Sequence, residues 1–333
     1  MMHSGKKPLH VLVAGGAGYI GSVVTAVLIR EGHKVTVLDN LSTGYRKAIH
    51  QEARFVRGDI SDKKCVEDIG RTYIDVVMHF AAYIEVGESV LNPSKYYYNN
   101  LAKSILFLNH LREIGVNTIV FSSSAAVYGE PVSIPLTESA PLKPVNPYGW
   151  TKMMIEQVLR DYDIAYQFRS VSLRYFNAGG AFDTYGENHH PESHLIPLLL
   201  DSAIKGSPLK VYGNDYDTKD GSCIRDYIHV RDLAEAHILA AYYLYEGGTI
   251  DHFNLGTGDG FTVLEVIRTA EKIIERHIPY EVTRRREGDS AILVASPEKA
   301  EHVLGWGKQR AGLEEIIESA WEWKLKFPNG YGE

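Results

Sequence analysis

The sequence predicts an α/β fold with a doubly wound parallel sheet of the Rossmann type, followed by a smaller mixed α/β lobe in the C-terminal half. Short β-branched runs alternate with helical stretches in the first half of the chain, and a glycine-rich turn follows the first run. The alternation loosens after about residue 177, where a polar loop over 179–193 begins. We therefore expect one domain over residues 1–177, to which later segments return, and a second over residues 178–333.

The individual elements follow from the hydrophobic pattern. Thr262 and Glu265 have the spacing of a capping box and predict the start of a late helix. The order of the other elements predicts βαβ units, with the sixth strand completing the sheet. Strands are predicted at 9–15, 34–39, 54–59, 75–80, 117–123 and 167–177, and helices at 19–32, 94–114 and 229–245.

Composition excludes several classes of protein. The 333 residues, 44% of them hydrophobic, can bury a large core. The net charge of −7 argues against a nucleic-acid partner, because such binding needs a clustered basic face, and the three arginines at 284–286 fit one diphosphate better than a duplex. No stretch approaches the ~18 apolar residues of a membrane span, and the N-terminus shows no signal-peptide pattern. The two cysteines predict neither a disulfide framework nor a zinc site, so we expect a cytoplasmic setting.

Gly15, Gly18 and Gly21 form a turn between the first predicted strand and a helix. Glycines there permit a tight turn and close approach of the backbone to a pyrophosphate, and the helix N-terminus adds partial positive charge. A Walker A loop is excluded because Ser22, and not the Gly-Lys pair, follows Gly21. The turn therefore predicts a dinucleotide site and argues against a nucleoside triphosphatase.

Two acidic residues end the next two predicted strands. Asp39 can accept hydrogen bonds from both ribose hydroxyls and repels a 2′-phosphate, which favours NAD over NADP. Arg46 and Lys47 in the following loop are signals to the contrary. Asp59 is predicted either to receive the adenine amino group or to cap the next helix.

A second motif, Tyr148-x-x-x-Lys152, places a phenol and an ammonium on one helix face. A free tyrosine has a pKa of about 10, and a nearby cation favours its phenolate. Ser122, Ser123 and Ser124 end the fifth predicted strand, where parallel sheets place ligands. Together these residues predict a site that moves a proton to or from a substrate alcohol.

These motifs, with others along nearly the whole chain, resemble the extended short-chain dehydrogenase/reductase superfamily and, within it, the UDP-glucose 4-epimerase family. The resemblance implies an NAD-dependent isomerase that interconverts UDP-glucose and UDP-galactose through a bound 4-keto sugar, with NAD retained throughout. The segments that carry it are "GGAGYIGS", "DNLSTG", "MHFAAYIEVGES", "YYNN", "FSSSAAVYGE", "NPYGWTK", "LRYFNAGGA", "YGNDYDTKDGSCIRDYIHVRDLAEAH", "FNLGTGDG", "RREGD" and "NGY".

The resemblance also implies roles for single residues. Tyr148 would remove the proton from the sugar 4-hydroxyl, Ser124 would hydrogen-bond the same oxygen, and Lys152 would hold the nicotinamide ribose and lower the Tyr148 pKa. Arg225 and Arg286 would bind the diphosphate. The implied cofactor contacts are Gly15, Gly18, Tyr19, Ile20, Asp39, Asn40, Asp59, Ile60, Phe80, Ala81, Ala82, Asn99, Ser122, Tyr148, Lys152 and Phe176. The implied substrate contacts are Ser124, Tyr148, Asn177, His194, Leu195, Lys210, Tyr212, the last against uracil, and Arg225, Arg286, Asp289 and Leu293.

Two positions vary within that family. Ile84 stands where some members carry a lysine in "FAxxK", and Glu85 beside it changes the local charge. Leu293 stands where a tyrosine narrows the sugar pocket in members restricted to unacetylated sugars. We hypothesise that Leu293 leaves room for an N-acetyl group, so that UDP-GlcNAc and UDP-GalNAc are also substrates.

Other readings stay open at this point. A 4-epimerase of UDP-pentoses or UDP-uronates differs by a few side chains, and a non-catalytic NAD-binding scaffold would usually have lost Tyr148 and Lys152. A 4,6-dehydratase is disfavoured because an acidic pair beside the catalytic serine is missing.

The resemblance implies a homodimer formed through helices near 94–114 and 148–162. We expect no metal, because the spacing of the candidate ligands fits no standard site. Those candidates are His189, His190, Glu192 and His194.

Overall fold

The computed structural model describes residues 6–286, 289–307 and 311–332, so Glu287 and Gly288 of the "RREGD" segment lie outside the described residues. Its strands are β1 (His10–Ala14), β2 (Lys34–Asp39), β3 (Arg54–Arg57), β4 (Val76–His79), β5 (Thr118–Ser124), β6 (Arg169–Tyr175), β7 (Asn177–Gly179), β8 (Leu209–Tyr212), β9 (Ile224–His229), β10 (Asp251–Leu255), β11 (Gly260–Thr262), β12 (Tyr280–Thr283) and β13 (Ile292–Leu293).

The α-helices are α1 (Tyr19–Arg30), α2 (Lys63–Gly70), α3 (Val86–Leu91), α4 (Pro93–Tyr96), α5 (Lys103–Glu113), α6 (Pro147–Tyr166), α7 (Leu195–Lys205), α8 (Val230–Tyr245), α9 (Val263–Ile274), α10 (Glu298–Leu304) and α11 (Leu313–Lys326). The predicted capping box is confirmed at the start of α9, where Thr262 and Glu265 each accept a hydrogen bond from the other's backbone N–H. Within the described residues, no helix is long and apolar enough to span a bilayer.

The central sheet has seven strands in the order β10-β6-β5-β4-β1-β2-β3. The pairs β1–β2, β1–β4, β2–β3 and β4–β5 are parallel. Successive strands are added on one side of β1 up to β3, and on the other side from β4 onward. The gap between β1 and β4 is therefore the topological switch point, where doubly wound folds bind their ligands. The predicted α/β class is therefore confirmed.

The expectation that the sixth strand completes the sheet is wrong, because β10 adds a seventh strand beyond β6. The elements from β7 to α8 separate these two neighbours in sequence. The alternation of strands and helices had already loosened there, so local pattern gave no signal that "DHFNL" belongs to the first sheet.

The predicted helix over 94–114 is also interrupted. A π-helical segment, Tyr97–Ala102, separates α4 from α5. Single π turns of this kind insert an extra residue per turn and often mark functional sites. Sequence periodicity alone does not distinguish such a turn from an α-helix.

The chain divides into two compact units. Unit 1 comprises residues 1–127, 144–174 and 234–253, and unit 2 comprises residues 128–143, 175–233 and 254–333. In unit 1 the buried core joins the sheet to α2, α5 and α6, with Leu12, Phe107 and Ile119 fully buried. In unit 2 a separate core includes Leu199, Val266 and Ile316 on α7, α9 and α11.

Unit 2 has mixed sheets, as predicted for the smaller lobe. Strand β9 pairs with β11 in the antiparallel sense and with β7 and β13 in the parallel sense. Strands β8 and β12 form a second, parallel pair.

Candidate active site

The glycine turn after β1 leaves the N-terminus of α1 without a side-chain cap. Its N-cap is Gly18, where an added Cβ would meet no heavy atom closer than 3.5 Å. Gly15 has φ +86°, and a Cβ there would lie 2.5 Å from the Ala81 nitrogen, so only glycine fits. At Gly21 a Cβ would overlap the Gly15 carbonyl oxygen. Uncapped backbone N–H groups at a helix start form an anion site, which suits a pyrophosphate.

A cavity lies at the carboxyl ends of β1, β2, β3 and β4, at the switch point of the sheet. Ten of the predicted cofactor residues line it together, which fits a dinucleotide. These ten are Gly15, Gly18, Asp39, Asn40, Asp59, Ile60, Phe80, Ala81, Ala82 and Asn99, and further lining residues include Thr43, Gly44, Tyr83 and Lys103. Of the other predicted contacts, Tyr19 and Ile20 begin α1, and Phe176 belongs to unit 2, where its N–H donates to the Leu255 carbonyl oxygen.

Asp39 is fixed at the end of β2 by two backbone N–H donors. Ala17 N donates to its Oδ2 at 3.0 Å, and Leu41 N donates to its Oδ1 at 2.8 Å. Burial raises the pKa of this carboxyl, and the two hydrogen bonds oppose that rise. Arg46, which had argued for NADP, instead places its guanidinium 4.8 Å from the Phe55 ring centroid. A fixed carboxylate in this place suits ribose hydroxyls and repels a 2′-phosphate.

Asp59 does not cap a helix, so that alternative is wrong. The N-cap of α2 is Asp62, which accepts from the N–H groups of Lys64 and Cys65. Asp59 Oδ2 instead accepts from Lys103 Nζ at 2.6 Å and Asn40 Nδ2 at 2.9 Å.

Lys103 is a residue of the cavity that the sequence reasoning missed. A lysine at the start of a helix is usually a surface charge, so no local signal identified it. Desolvation would raise the Asp59 pKa, but the hydrogen bonds from Lys103, Ser61 and Asn40 lower it to about 2. The cavity therefore contains an ionised carboxylate with a bound ammonium.

The π-helical segment explains two consecutive asparagines. Asn100 Oδ1 accepts from Tyr83 N at 2.9 Å, and its Nδ2 donates to the Tyr83 carbonyl oxygen at 2.9 Å. Asn99 lines the cavity and donates to Asn100 Oδ1 at 3.1 Å. The wider turn thus fixes the segment after β4 while presenting Asn99 to the cofactor site.

Tyr148, Ser124 and Lys152 meet where β5 ends and α6 begins. Asn146 caps α6 by accepting from Gly149 N at 2.8 Å, with Pro147 in the first turn. This start buries Tyr148, which is 9% exposed, and Ser124, the last residue of β5, lowers the pKa of the phenol against the rise caused by burial. Lys152 Nζ donates to the Ser122 carbonyl oxygen at 2.7 Å and lies 5.7 Å from the Tyr148 ring centroid.

The expected fall in the Tyr148 pKa is not produced by the side chains of the protein. Burial raises this pKa, the hydrogen bond from Ser124 lowers it, and the charge of Glu85 raises it again. Burial also lowers the pKa of Lys152 to about 7, against the charge of Glu156. The expectation counted the charge of Lys152, with that of a bound nicotinamide, but not the cost of burying both groups. Glu85, noted as a local charge, therefore acts against the phenolate.

In unit 2, three predicted substrate residues lie on β9 or on strands paired with it. Arg225 is on β9, in register with Leu293 of β13, and Asn177 of β7 is in register with Tyr227. The Arg225 guanidinium donates to the carbonyl oxygens of Ile224 and Ser290, each at 2.9 Å. Its Nη2 lies 3.4 Å from an Asp289 carboxylate oxygen. Arg225 and Asp289, both predicted, are thus brought together.

A second group of predicted residues gathers at β8. Lys210 and Tyr212 are two residues apart on this strand, so both side chains project from one face. Arg286 places its guanidinium 3.9 Å from the Tyr212 ring centroid. One face of Tyr212 is therefore covered by Arg286.

His194 is the N-cap of α7, and Leu195 is the first residue of that helix. Leu195 packs on the unit 2 core. His194 Nδ1 lies 2.7 Å from Glu187 Oε1, and His189 Nδ1 lies 3.3 Å from the same oxygen. Burial would raise the Glu187 pKa and lower that of His194, but the facing charges reverse both shifts, so that the Glu187 pKa falls to about 2 and the His194 pKa rises.

These side chains and Glu192 form a cluster that the spacing did not predict. One ligand-type atom from each of Glu187, His189, Glu192 and His194 lies within 4.8 Å of the others. The ionised Glu187 carboxylate and the charged His194 imidazole form an ion pair. The expectation of no metal remains a prediction.

Comparison with known proteins agrees with this geometry. Residues 11–256 match the profile of the NAD dependent epimerase/dehydratase family. A UDP-glucose 4-epimerase of Lactobacillus helveticus is 48% identical over 97% of this chain and 99% of its own. The crystal structure of a UDP-glucose 4-epimerase from Brucella ovis in complex with NAD has a TM-score of 0.91 at 44% identity, covering 94% of this chain and 98% of that one.

A third relative broadens the comparison. The structure of the UDP-Glc/GlcNAc 4-epimerase from Campylobacter jejuni has a TM-score of 0.84 at 40% identity, covering 96% of this chain and 99% of that one. The resemblance drawn from the motifs is confirmed, and the predicted cofactor is NAD, which the cavity of unit 1 fits. The chain belongs to the NAD dependent epimerase/dehydratase family, among relatives named UDP-glucose 4-epimerase.

Proposed function

We propose that the protein interconverts UDP-glucose and UDP-galactose by removing hydrogen from C4 of the sugar and returning it to the opposite face. The arrangement at the end of β5 and the start of α6 carries this proposal, because a buried phenol, a serine that lowers its pKa and a lysine fixed by the Ser122 carbonyl oxygen meet in the unit that holds the dinucleotide cavity. NAD, when bound, supplies the hydride acceptor and donor at C4. The protein supplies the proton transfer and the binding.

Tyr148 accepts the proton of the 4-hydroxyl as a phenolate. Because burial raises its pKa, that phenolate needs stabilisation, and Ser124 gives it by donating a hydrogen bond. Lys152 adds positive charge from one helical turn along, fixed by its bond to the Ser122 carbonyl oxygen. When the proton returns to the sugar oxygen, the same three groups reverse their roles.

The oxidised sugar has to stay bound while it turns. Binding energy is therefore best placed on the part of the substrate that does not react, which is UDP. The Arg225 side chain is 15% exposed, and its contact with the Asp289 carboxylate is long, at 3.4 Å. This supports a role on the diphosphate, because the guanidinium can exchange that contact for phosphate oxygens. Arg286 supports the same role, with Tyr212 beneath it to receive uracil.

N-acetylated sugars are a second proposed substrate pair. Leu293 is half-buried and in register with Arg225, so it stands close to a proposed diphosphate ligand. A leucine there offers more room than a tyrosine. The Campylobacter jejuni relative, named for both Glc and GlcNAc, supports this range.

We further propose that the protein is a homodimer. Large apolar side chains are exposed on the segments that the resemblance assigns to the dimer contact: Tyr98 is 64% exposed, Leu106 45% and Trp150 37%. Light scattering of the purified protein tests the mass. We also propose a cytoplasmic setting, in which Cys65 and Cys223 remain thiols.

Product analysis by NMR tests the function. Purified protein is incubated separately with UDP-galactose, UDP-N-acetylgalactosamine, a UDP-pentose and a UDP-uronate. We expect conversion of UDP-galactose to UDP-glucose, and a loss of about 10² to 10⁴ in rate in Tyr148→Phe. Turnover confined to the pentose or the uronate would replace this proposal with that alternative. Bound NAD with no turnover of any sugar would support a scaffold.

A further inference from the structure

The three serines that end β5 each act on a different residue of one face of α6. The Ser122 carbonyl oxygen accepts from Lys152 Nζ at 2.7 Å. The Ser124 side chain lowers the pKa of the buried Tyr148 phenol. Ser123, which the proposed mechanism does not use, donates through its hydroxyl to Glu156 Oε1 at 2.5 Å.

Glu156 continues the catalytic face by one helical turn. Residues 148, 152 and 156 are four apart, so their side chains follow one another along α6. Glu156 is 2% exposed, and Lys152 is 3% exposed. A buried carboxylate with no role would be costly, because its charge has left water.

Arg174 of β6 holds the Glu156 carboxylate in place. Its Nε donates to Glu156 Oε1 at 2.9 Å and its Nη2 to Oε2 at 2.6 Å, which is a bidentate contact. Arg174 itself is 1% exposed. With the bond from Ser123, three donors fix the carboxylate and leave it little freedom to rotate.

Charged and titratable side chains lie near the buried face of α6 on several elements. Glu156 lies on α6 with Tyr148, Arg174 on β6, and His79 on β4, while β5 offers backbone and hydroxyl groups. Glu85, the N-cap of α3, raises the Tyr148 pKa by its charge. Burial lowers the pKa of His79 to about 3, so this imidazole is neutral. Without Glu156, Lys152 would lose the carboxylate whose charge opposes the fall of its pKa on burial.

We propose that Glu156 is a positioning residue of the reaction, whose fixed negative charge, set by Arg174 and Ser123, keeps the Lys152 ammonium charged and aimed at the Ser122 carbonyl oxygen. The inference rests on the proposed function, because Lys152 matters only if Tyr148 ionises. It extends the site to Ser123, Glu156 and Arg174, three residues that the motif reading left without a role in the chemistry.

The pH profile of turnover tests the inference. Lys152 has to be protonated, so activity falls as pH rises through its pKa. Burial lowers that pKa to about 7 and Glu156 raises it, so Glu156→Gln should move the falling limb to lower pH. We expect a shift of about one unit or more, which is about a tenfold loss of rate on that limb. Asp161→Asn, an exposed change on the same helix, should leave the profile unchanged.

A double variant distinguishes a loss of folding stability from a loss of the charge effect on Lys152. Glu156→Gln removes the carboxylate charge that faces the buried Arg174 guanidinium, whereas Glu156→Leu with Arg174→Met removes both charges and fills the space with apolar groups. We expect the double variant to regain a wild-type melting temperature but to keep the shifted limb. A double variant with both a wild-type melting temperature and a wild-type profile would overturn the proposal, because Glu156 would then serve the fold alone.

Direct titration of Lys152 separates this inference from the proposed function. NMR of protein labelled at lysine Cε follows the Lys152 resonance against pH without turnover. We expect a lower midpoint in Glu156→Gln and in the double variant. An unchanged midpoint would overturn the inference and would say nothing against the proposed epimerase activity. A shifted midpoint in a protein whose wild type shows no turnover would contradict the proposed function and leave the inference standing.

Discussion

Lys152 Nζ donates a hydrogen bond to the Ser122 carbonyl oxygen at 2.7 Å, one turn of α6 from Tyr148. At Tyr148 burial raises the pKa of the phenol, the Ser124 side chain lowers it, and the charge of Glu85 raises it. In Ser124→Ala the opposing effects are no longer offset, so the Tyr148 pKa should rise. A base has to be deprotonated to act, so the rising limb of the rate against pH should move to higher pH. Rates measured from pH 5 to 10 would show this, and a limb that stays in place would contradict the role of Ser124.

Asp39→Asn tests the ribose site. The amide keeps one acceptor for the N–H of Ala17 or Leu41 but loses the charge that the ribose hydroxyls would meet. We expect NAD to bind about tenfold to a hundredfold more weakly, the range of a hydrogen bond to a charged group, and NADP to be rejected less strongly. Calorimetric titration of both dinucleotides checks this. Unaltered affinities would place the ribose elsewhere.

The ion pair between Asp59 and Lys103 should make the free energy of unfolding depend on pH in the acid range. Its 2.6 Å contact, with other bonds, holds the folded pKa of Asp59 at about 2, below the ordinary 3.8. A lowered folded pKa stabilises the fold above the unfolded value, and this contribution is lost as pH falls from about 4 to 2. The difference between the folded and unfolded pKa of Asp59 corresponds to a contribution of about 2 kcal/mol to the free energy of unfolding.

Urea unfolding at pH 6 and pH 3 measures that loss. In Lys103→Met the Asp59 pKa should rise, so the loss should begin at higher pH than in wild type. Asp59→Asn serves as the control, since it has no group to titrate. Equal acid sensitivity in all three proteins would show that the pair adds nothing.

Leu293→Tyr tests the range of sugars. A larger side chain beside Arg225 should exclude an N-acetyl group by overlap and leave the unacetylated pair intact. We expect kcat/KM for UDP-N-acetylgalactosamine to fall about tenfold or more, while that for UDP-galactose changes little. No turnover of the N-acetyl pair by the wild-type protein would remove the hypothesis at once.

The cluster around Glu187 predicts indifference to metal. His194 Nδ1 lies 2.7 Å from Glu187 Oε1, and we expect this ion pair to form without a metal ion. Incubation with a chelator should leave both turnover and the melting temperature unchanged. Loss of either on chelation, with recovery on adding zinc, would show that the four side chains hold an ion.

The sequence predicted the parts of the site that short motifs encode. The glycine turn, Asp39 and the pair Tyr148 and Lys152 each sit where local spacing placed them, because a turn and a helix face are set by neighbouring residues. The register of the three serines against α6 was not predictable in this way. It depends on how β5 packs against that helix, which is a tertiary relationship.

Long-range pairing accounts for the other differences. Lys103 reaches Asp59 from 44 positions away, and β10 joins β6 across the elements from β7 to α8. The rise of the Tyr148 pKa on burial was not predictable from spacing, because burial is a property of the packed protein. The π turn at Asn99 and Asn100 escaped notice because its hydrophobic pattern is that of an α-helix.

The near-ultraviolet absorbance of the purified protein, before and after UDP-galactose is added, tests the central claim most directly. The account predicts bound NAD that is partly converted to its reduced form when substrate arrives, and no such conversion in Tyr148→Phe. Protein that contains NAD and turns over UDP-galactose, yet shows an equal signal of reduction in wild type and Tyr148→Phe, would contradict the role of this phenol.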